Sequence, residues 1–542
     1  MAKFNWQIAG AAGEGIKVSG LMMQKTALRA GWYTYGSTEY PSLIRGGHNT
    51  FSVVASDQPV NSGQVKIDIL VDLKTSQIIL DQPLKLPLAE LANQSGNFLT
   101  KNTVALGASC ALIGLDLAIF KQVIAEAFAG KDQSITVQNH QAAQLGFDYA
   151  AKNFADKKLK LIAPGRALKN QIMICGNEAL ALGAVAGGMK FYCAYPMTPV
   201  TPILHYLAAN AKKLNIIVNH AEDEIGVANM AIGAGFGGVR SMVATSGGGF
   251  SLMVEALGLA GITETPLVII LGMRPGPASG MPTWSGQGDL LFAINAAQDE
   301  FPRIVLAPGD PTEAFTLAKA AQNLAEKYQL PVIILADKNL GEGYYTADQP
   351  PAGHTNQRYC LAKTGASPEP FKRYQVTASG ISPRPLPGRP GGIFLANSYE
   401  HDELGYATED SRERVKQMDK RLKKLTTILA SDDLIAPRIF GPAKAKTTLV
   451  SWGSNKGAIL DALPSLPNTN LIHFAWLWPF PLAQFKALIA HQPRLITVEG
   501  NATGQLSKLI AQQTGTMIKD KILKYDGRQF YPEEIIEGLK KI

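Results

Sequence analysis

Between Ile172 and Leu335 short apolar runs alternate with helical patterns, and this alternation leaves few folds open. Ile172–Cys175, Lys190–Ala194, Ile216–His220, Arg240–Thr245, Pro266–Leu271, Arg303–Leu306 and Pro331–Leu335 read as strands. Asn177–Ala186, Ile203–Lys213, Ile225–Gly235, a run ending at Ile262 and another ending at Tyr328 read as helices between them. Asp310-Pro311-Thr312-Glu313 is a clear helix start, with a capping carboxylate, a proline that needs no N–H, and an acidic first turn. Strands that alternate with helices require a parallel sheet joined by right-handed crossovers. Such sheets bind ligands at the carboxyl ends of their strands, so the strand-to-helix junctions are where function is sought.

Around this block the 542 residues suggest three domains. Segment 1–162 opens with a strand (Asn5–Ala9), the loop Gly10–Gly15 and a helical run to Arg29; strands follow at Tyr33–Tyr35, Asn49–Val54 and Ile67–Val71, then helices from Val104 to Phe154. Pro164-Gly165-Arg166 begins a linker to the α/β domain, 171–340. Segment 341–440 reads as a connector, rich in Pro, Gly and Ser over Gln349–Pro390, with a charged helix at Glu409–Leu429. Segment 446–542 returns to α/β, with strands Thr448–Trp452, Leu471–Phe474 and Leu495–Val498.

Composition excludes several classes. No apolar run approaches the roughly 20 residues of a membrane span, and the first residues read as a strand and turn rather than a signal peptide. The four cysteines, Cys110, Cys175, Cys193 and Cys360, are far apart, without the spacing of a zinc or iron–sulfur site, and fit a reducing cytoplasm. The net charge of +8 comes without a Lys/Arg block of the kind that reads nucleic acid.

Three junctions carry candidate chemistry. In Tyr195-Pro196-Met197-Thr198-Pro199-Val200-Thr201-Pro202, Thr198 reads as a helix cap and Pro199 as the first helical residue. Free N–H groups there would favour an anion, although an ordinary capped helix has the same pattern. Glu222, Asp223 and Glu224 enter a helix rich in Ala and Gly whose small residues allow another surface close, but acidic first turns are common for dipole reasons alone. Arg274 directly follows an apolar strand and precedes a Gly/Pro-rich loop; a guanidinium there suits a carboxylate substrate, or is a structural surface arginine. Gly10–Gly15 lacks the dinucleotide spacing but could hold a phosphate-like group, and Arg45-Gly46-Gly47-His48 reads as a structural turn or a subunit or coenzyme A contact. Glu400-His401-Asp402-Glu403 reads as a solvated polar run rather than a metal site. Asn501–Gly504 reads as a contact to a neighbouring domain or coenzyme A, and Trp476 and Trp478 as core or interface.

The stretches AYPMTPVTP, EDEIGVANMAIGA, ATSGGGFSLMVEALGLAG and RPGPASGMPTWSGQGDL resemble the alpha subunit of 2-oxoacid:ferredoxin oxidoreductases. GAAGEGIKVSG and YPSLIRGGHNTFSV resemble that family's gamma domain, and HFAWLWPFP and VEGNATGQLSKLI its transketolase-C-like domain. The resemblance spans nearly the whole chain. It implies a multi-domain α/β fold: a gamma domain over 1–162, a pyrimidine-type thiamine-diphosphate domain over 171–340, and the transketolase-C-like domain over 446–542. It implies oxidative decarboxylation of a 2-oxoacid with coenzyme A to acyl-CoA and CO2, electrons passing to ferredoxin. The fused gamma–alpha order points to 2-oxoglutarate; pyruvate or a branched-chain 2-oxoacid, or a non-catalytic assembly paralogue, are the alternatives.

By the same resemblance Glu224 hydrogen-bonds the aminopyrimidine nitrogen of thiamine, with Glu222 the weaker match; Thr198 and Arg274 bind the oxoacid; and Tyr195 and Pro196 flank the coenzyme. Met197 stands where the family usually has isoleucine, and Val200-Thr201 and Ala278-Ser279 also depart from its pattern. The Gly-Asp-Gly motif for diphosphate and Mg²⁺ is missing, as are cluster cysteines. The resemblance therefore implies a separate beta subunit carrying diphosphate, Mg²⁺ and a [4Fe–4S] cluster, an (alpha–beta)2 heterotetramer, and thiamine lying across the interface.

Overall fold

The computed structural model describes residues 2–42, 47–162, 164–165, 168–351, 353, 357–362 and 370–542. Arg45 and Gly46 lie outside the described residues. Among the described residues, three sheets organise the fold.

The central sheet has seven strands, in the order Trp476–Trp478, Ile304–Leu306, Pro331–Asp337, Leu267–Met273, Ser241–Ser246, Phe191–Ala194, Ile217–His220. The six strands from within 191–337 are all parallel. Its two middle members, LVIILGM and PVIILAD, are buried at every residue. That is why they read as continuous apolar runs rather than alternating ones: helices cover both faces of a parallel sheet. The edge strand Trp476–Trp478 comes from the C-terminal segment and runs antiparallel to Ile304–Leu306. Trp476 is fully buried, and its indole N–H donates to the carbonyl of Pro479 at 2.9 Å.

The strand at Gln171–Cys175 departs from expectation. The alternating pattern assigns it to the parallel sheet, but it pairs antiparallel with Tyr344–Asp348, which pairs antiparallel with Tyr33–Glu39. Both therefore complete the eight-stranded N-terminal sheet, on either side of the central domain in sequence. Local chemistry favours this pairing. The amide N–H of Thr34 donates to the Thr346 hydroxyl at 2.8 Å, and Tyr35 packs edge-on against Tyr345 at 5.0 Å. An edge that would otherwise present unpaired backbone groups is covered. The third sheet, in the order Arg438–Phe440, Thr469–Phe474, Thr447–Trp452, Leu495–Glu499, Asp520–Leu523, is parallel except for its first strand.

The connector is held by buried charge. The charged helix, Ser411–Leu429, buries Lys420 and Lys424 rather than solvating them. Spaced four apart, they share one helix face, and both ammonium groups reach the fully buried carboxylate of Glu264, at 2.5 and 2.6 Å. Arg373 donates to the Glu264 carbonyl at 2.8 Å. A second carboxylate, Glu326, takes Arg240, Arg358 and Arg384 at 2.6, 2.5 and 3.1 Å. His401 is not solvated as the polar run suggested: it is buried, with its ring 3.9 Å from that of Tyr374. Its neighbours turn outward to structural tasks, Glu400 pairing with Arg414 and Arg421 and Asp402 accepting the amides of Leu404 and Tyr406. Among the described residues no helix is long and apolar enough to cross a membrane.

Burial alone would raise the pKa of Glu264, but Lys420 and Lys424 outweigh it and hold the carboxyl below the usual glutamate range. Burial is likewise outweighed at Glu400, where Arg421 and Arg414 bring the carboxyl down to about 2. A depressed folded-state pKa gives stability that is complete above the unfolded value and is lost as pH falls through the folded one. Glu264→Ala strands two buried ammonium groups and is expected to cost about 3–5 kcal/mol, read as a lowered urea midpoint. It is also expected to flatten the loss of stability on acidification below the ordinary glutamate range. An unchanged midpoint at pH 7 would remove Glu264 as the anchor of the connector.

Candidate active site at the carboxyl edge of the central sheet

The strand Phe191–Ala194 leads into the turn 195–200. The helix that follows begins at Thr201, not at Pro199, and Pro202 rather than Pro199 is the proline of its first turn. The amides of Val200 and Thr201 both donate to the carbonyl of Met197, at 3.1 and 3.2 Å. Those two amides are thus satisfied by backbone, and Thr198 does not cap. Its carbonyl instead accepts a hydrogen bond from Nη1 of Arg274 at 2.8 Å. Arg274 stands immediately after the strand Leu267–Met273, and burial pulls its pKa down from the ordinary arginine value. Among the described residues the guanidinium forms no other hydrogen bond, which leaves its remaining donors uncommitted within the chain.

Glu224 opens the next helix, Glu224–Phe236, after Asp223 as cap; Oδ1 of Asp223 accepts the amide of Gly226 at 2.7 Å. The three adjacent carboxylates therefore separate into distinct roles: Glu222 is exposed, Asp223 caps, and Glu224 is 4% exposed. Oε1 of Glu224 is buried without a hydrogen-bond partner. The carboxylate rests against the start of the helix Gly247–Ile262: a Cβ on Gly249 would lie 2.6 Å from Oε1 and 2.0 Å from the hydroxyl of Thr245. Only glycine leaves room there.

Arg274 and Glu224 stand at the same end of the sheet because the strands before them, Leu267–Met273 and Ile217–His220, run parallel, with Ser241–Ser246 and Phe191–Ala194 between them. The thioether of Met197 receives the Ser246 hydroxyl, which ties the Thr198 turn to the strand end beside Glu224. Gly272 lets that turn settle on the sheet: a Cβ there would be 2.5 Å from Val200 and 3.1 Å from Pro199. Thr245, Ser246 and Gly272 are parts of the site that the sequence did not single out, and Met197, noted there only as a departure from the family's isoleucine, is the tie between them and the turn. Asp289 is another; its carboxylate lies beside Gly247, and burial raises its pKa to about 6. Tyr195 is 39% exposed at the rim, its ring 6.2 Å from His220, and Pro196 is half-buried next to it.

Two surfaces adjoin this edge. One is apolar, with Ile225, Met230 and Leu252 exposed; on the same two helices a Cβ at Gly233 or Gly248 would meet nothing. The other is a cavity of about 530 Å³ between the N-terminal domain and the helix start, lined by Gly13, Gly15 and Lys17 on one side and Thr198, Thr201 and His205 on the other. The loop Gly10–Gly15, read as a phosphate cradle, already holds an anion of its own: the carboxylate of Glu14 accepts the amide of Ala11 at 2.6 Å. Asn501, read as a contact to a neighbouring domain or coenzyme A, donates instead to the buried carboxylate of Glu499, two residues away in its own domain, at 3.0 Å. Among the described residues no group of three or more His, Cys, Asp or Glu is placed to hold a metal ion.

Residues 182–420 match the model of the pyruvate flavodoxin/ferredoxin oxidoreductase thiamine-diphosphate-binding family, and residues 5–82 and 81–149 match the pyruvate ferredoxin/flavodoxin oxidoreductase family. The alpha subunit of a 2-oxoacid:ferredoxin oxidoreductase from a Sulfolobus species is 33% identical, over 100% of this chain and 97% of its own. The 2-oxoglutarate synthase subunit KorA of Methanothermobacter thermautotrophicus is 31% identical, over 69% of this chain and 100% of its own. Among solved structures, the 2-oxoglutarate:ferredoxin oxidoreductase of Magnetococcus marinus, with 2-oxoglutarate, coenzyme A and succinyl-CoA bound, superposes with a TM-score of 0.91. It is 29% identical and covers 100% of this chain and 99% of that one. A sheet edge that gathers a buried glutamate and an arginine, on a chain aligned end to end with such relatives, belongs to the family of 2-oxoacid:ferredoxin oxidoreductase alpha subunits.

Proposed function

We propose that this chain binds the oxoacid and engages the thiamine ring in a 2-oxoacid:ferredoxin oxidoreductase whose substrate is 2-oxoglutarate. The reaction is oxidative decarboxylation with coenzyme A to acyl-CoA and CO2. The observation that carries the reading is the unpartnered Oε1 of Glu224, buried on the same sheet edge as the Arg274–Thr198 pair. A buried carboxylate oxygen without a donor costs free energy, about 1–3 kcal/mol, and a ring nitrogen carrying a proton is the complement it lacks. Thiamine diphosphate, when bound, supplies the nucleophilic carbon and the electron sink for decarboxylation.

Glu224 holds a proton at the pyrimidine nitrogen, and Gly249 keeps the carboxylate from being displaced. Arg274 uses one N–H on the Thr198 carbonyl and offers its other donors to the oxoacid carboxylate. Thr198, Tyr195 and Pro196 shape the approach to that carboxylate. Coenzyme A enters through the cavity between Lys17 and His205, which opens onto Thr198. The diphosphate, Mg²⁺ and [4Fe–4S] cluster are assigned to a beta partner, because the four cysteines here have no cluster spacing. That partner docks on the apolar face of Ile225, Met230 and Leu252, where Gly233 and Gly248 let its surface approach closely, in an (alpha–beta)2 assembly. The preference for 2-oxoglutarate over pyruvate or a branched-chain oxoacid is supported by the KorA relative and by the ligands of the Magnetococcus neighbour. Electrons leave to ferredoxin, and the setting is the cytoplasm.

In the complex purified with its beta partner, Glu224→Ala is expected to lower kcat by about 10²- to 10⁴-fold with assembly retained. Turnover at the parent rate would remove Glu224 from the chemistry. Gly233→Leu and Gly248→Leu are expected to leave the melting temperature of the isolated chain within a degree or two, as ordinary surface changes do, while abolishing co-purification of the partner. A panel of 2-oxoacids is expected to give its highest kcat/KM with 2-oxoglutarate; a higher value for pyruvate would overturn the substrate assignment.

A further inference from the structure

Arg274 is the first residue of a long loop, 274–289, and the loop is organised less by its own domain than by the C-terminal one. Its start is folded over: the amide of Met281 donates to the carbonyl of Pro275 at 2.9 Å, and Gly286 passes so close to the Arg274–Pro275 backbone that a Cβ would lie 3.1 Å from the Pro275 nitrogen. Whatever fixes the far end of the loop therefore fixes Arg274. That end is held from outside. The amide of Ser285 donates to the carbonyl of Gly527 at 3.0 Å, and the guanidinium of Arg528 lies 3.2 Å over the ring of Trp284.

Gln287 is the centre of these attachments. It is 2% exposed, and its side-chain amide is fully engaged. Nε2 donates to the carboxylate of Asp337 at 3.1 Å and to the carbonyl of Trp452 at 3.3 Å. Oε1 accepts from Nδ2 of Asn455 at 2.8 Å and from the amide of Gly500 at 2.9 Å. Its own amide donates to the Gly500 carbonyl at 2.8 Å. The partners come from the end of one central strand, Pro331–Asp337, and from the turns after two strands of the third sheet, Thr447–Trp452 and Leu495–Glu499. A primary amide has two donors and two acceptor sites, and this environment asks for both. A carboxylate would turn two donors into repulsion against Asp337 and the Trp452 carbonyl. An aliphatic side chain would remove all four bonds at once, leaving Oδ2 of Asp337 with the Ser454 hydroxyl and Nδ2 of Asn455 with the Val498 carbonyl alone.

We propose that Gln287 is a positioning residue for oxoacid binding: by clamping loop 274–289 between the central sheet and the C-terminal sheet, it holds Arg274 on the Thr198 carbonyl with its remaining donors set for the substrate carboxylate. The C-terminal domain thus acts on substrate affinity without touching substrate. The inference rests on the reading of Arg274 as the oxoacid-binding arginine, and its test separates the two.

The test uses the full chain purified with its beta partner, measuring oxoacid- and coenzyme-A-dependent dye reduction, thiamine diphosphate affinity, and assembly by size-exclusion chromatography. Gln287→Ala is expected to raise KM for the oxoacid about tenfold, with kcat within about twofold and thiamine diphosphate affinity unchanged. Arg274→Ala is expected to raise KM at least as much, and the double variant no further, because both changes remove the same interaction. Asn455→Ala removes one of the four clamping bonds from the distant domain; it is expected to raise KM about two- to threefold with kcat kept, and it carries the test if Gln287→Ala fails to assemble. If Arg274→Ala raises KM and neither Gln287→Ala nor Asn455→Ala does, the positioning inference falls and the reading of Arg274 stands. If Arg274→Ala leaves KM unchanged, the reading falls and takes the inference with it. Additive effects in the double variant, or loss of kcat and of thiamine diphosphate affinity together, would assign Gln287 a role other than holding Arg274.

Discussion

Buried charge must be answered, and the way this chain answers it sets most of its architecture. Glu264 takes two lysines, Glu326 three arginines, and Lys456 both Asp310 and Glu313 across the boundary between the central and C-terminal segments. Each such group would be costly to bury alone. Paired, they fasten elements that apolar packing by itself would leave free to slide: the connector helix onto the central domain, and the C-terminal domain onto the helix after Asp310. Against that background the unpartnered Oε1 of Glu224 is conspicuous. The fold that pairs these carboxylates with lysines and arginines leaves the Glu224 oxygen without a hydrogen bond at the edge where ligands of parallel sheets gather.

The three sheets also exchange strands. Trp476–Trp478 closes the central sheet from the C-terminal segment, and Tyr344–Asp348 with Gln171–Cys175 extends the N-terminal sheet from either side of the central one. Relative motion of the domains therefore requires breaking ladder hydrogen bonds, not only surface contacts. This matters for the site, because its walls come from separate segments: the cavity beside Thr198 lies between the N-terminal loop and the central helix start, and the Arg274 loop is fixed by turns of the third sheet. Strand exchange gives these walls a fixed geometry that flexible linkers would not.

Much of this was legible in the sequence, and the limits are physical. The central parallel strands announce themselves because burial on both faces leaves no polar residue to interrupt them. Arg274 was found for a related reason, since a guanidinium directly after such a run stands at a strand end. Pairing between distant segments was not legible: nothing local in Gln171–Cys175 distinguishes a parallel neighbour in its own domain from an antiparallel one at Tyr344–Asp348. Thr198-Pro199 and Thr201-Pro202 offer two equivalent helix starts, and the choice is made by the carbonyl of Met197, which captures the amides of Val200 and Thr201. Nothing local in the charged helix marks Lys420 and Lys424 as buried, because their partner lies far away in sequence at Glu264. Glu222 and Glu224 have the same local propensity; only tertiary contact buries one and exposes the other.

The open carboxylate and the apolar face beside it have one consequence for energetics. A group that raises the free energy of the isolated chain and is satisfied on binding shifts its cost from the complex to the free subunit. On the proposed reading, a ring that satisfied Glu224 and a surface that covered Ile225, Met230 and Leu252 would stabilise the same region, so each would favour the other without direct contact between them. The open glycines fit that arrangement: Gly233 and Gly248 add nothing to the packing of this chain, and helix interiors with glycine are weaker by about 1 kcal/mol per residue than with alanine. Gly249, one position further along, is held by a different constraint, the Thr245 and Glu224 side chains against it. Adjacent glycines are thus under different constraints: a Cβ at Gly249 would collide within the chain, and one at Gly248 would meet nothing in it, which leaves room for the proposed partner.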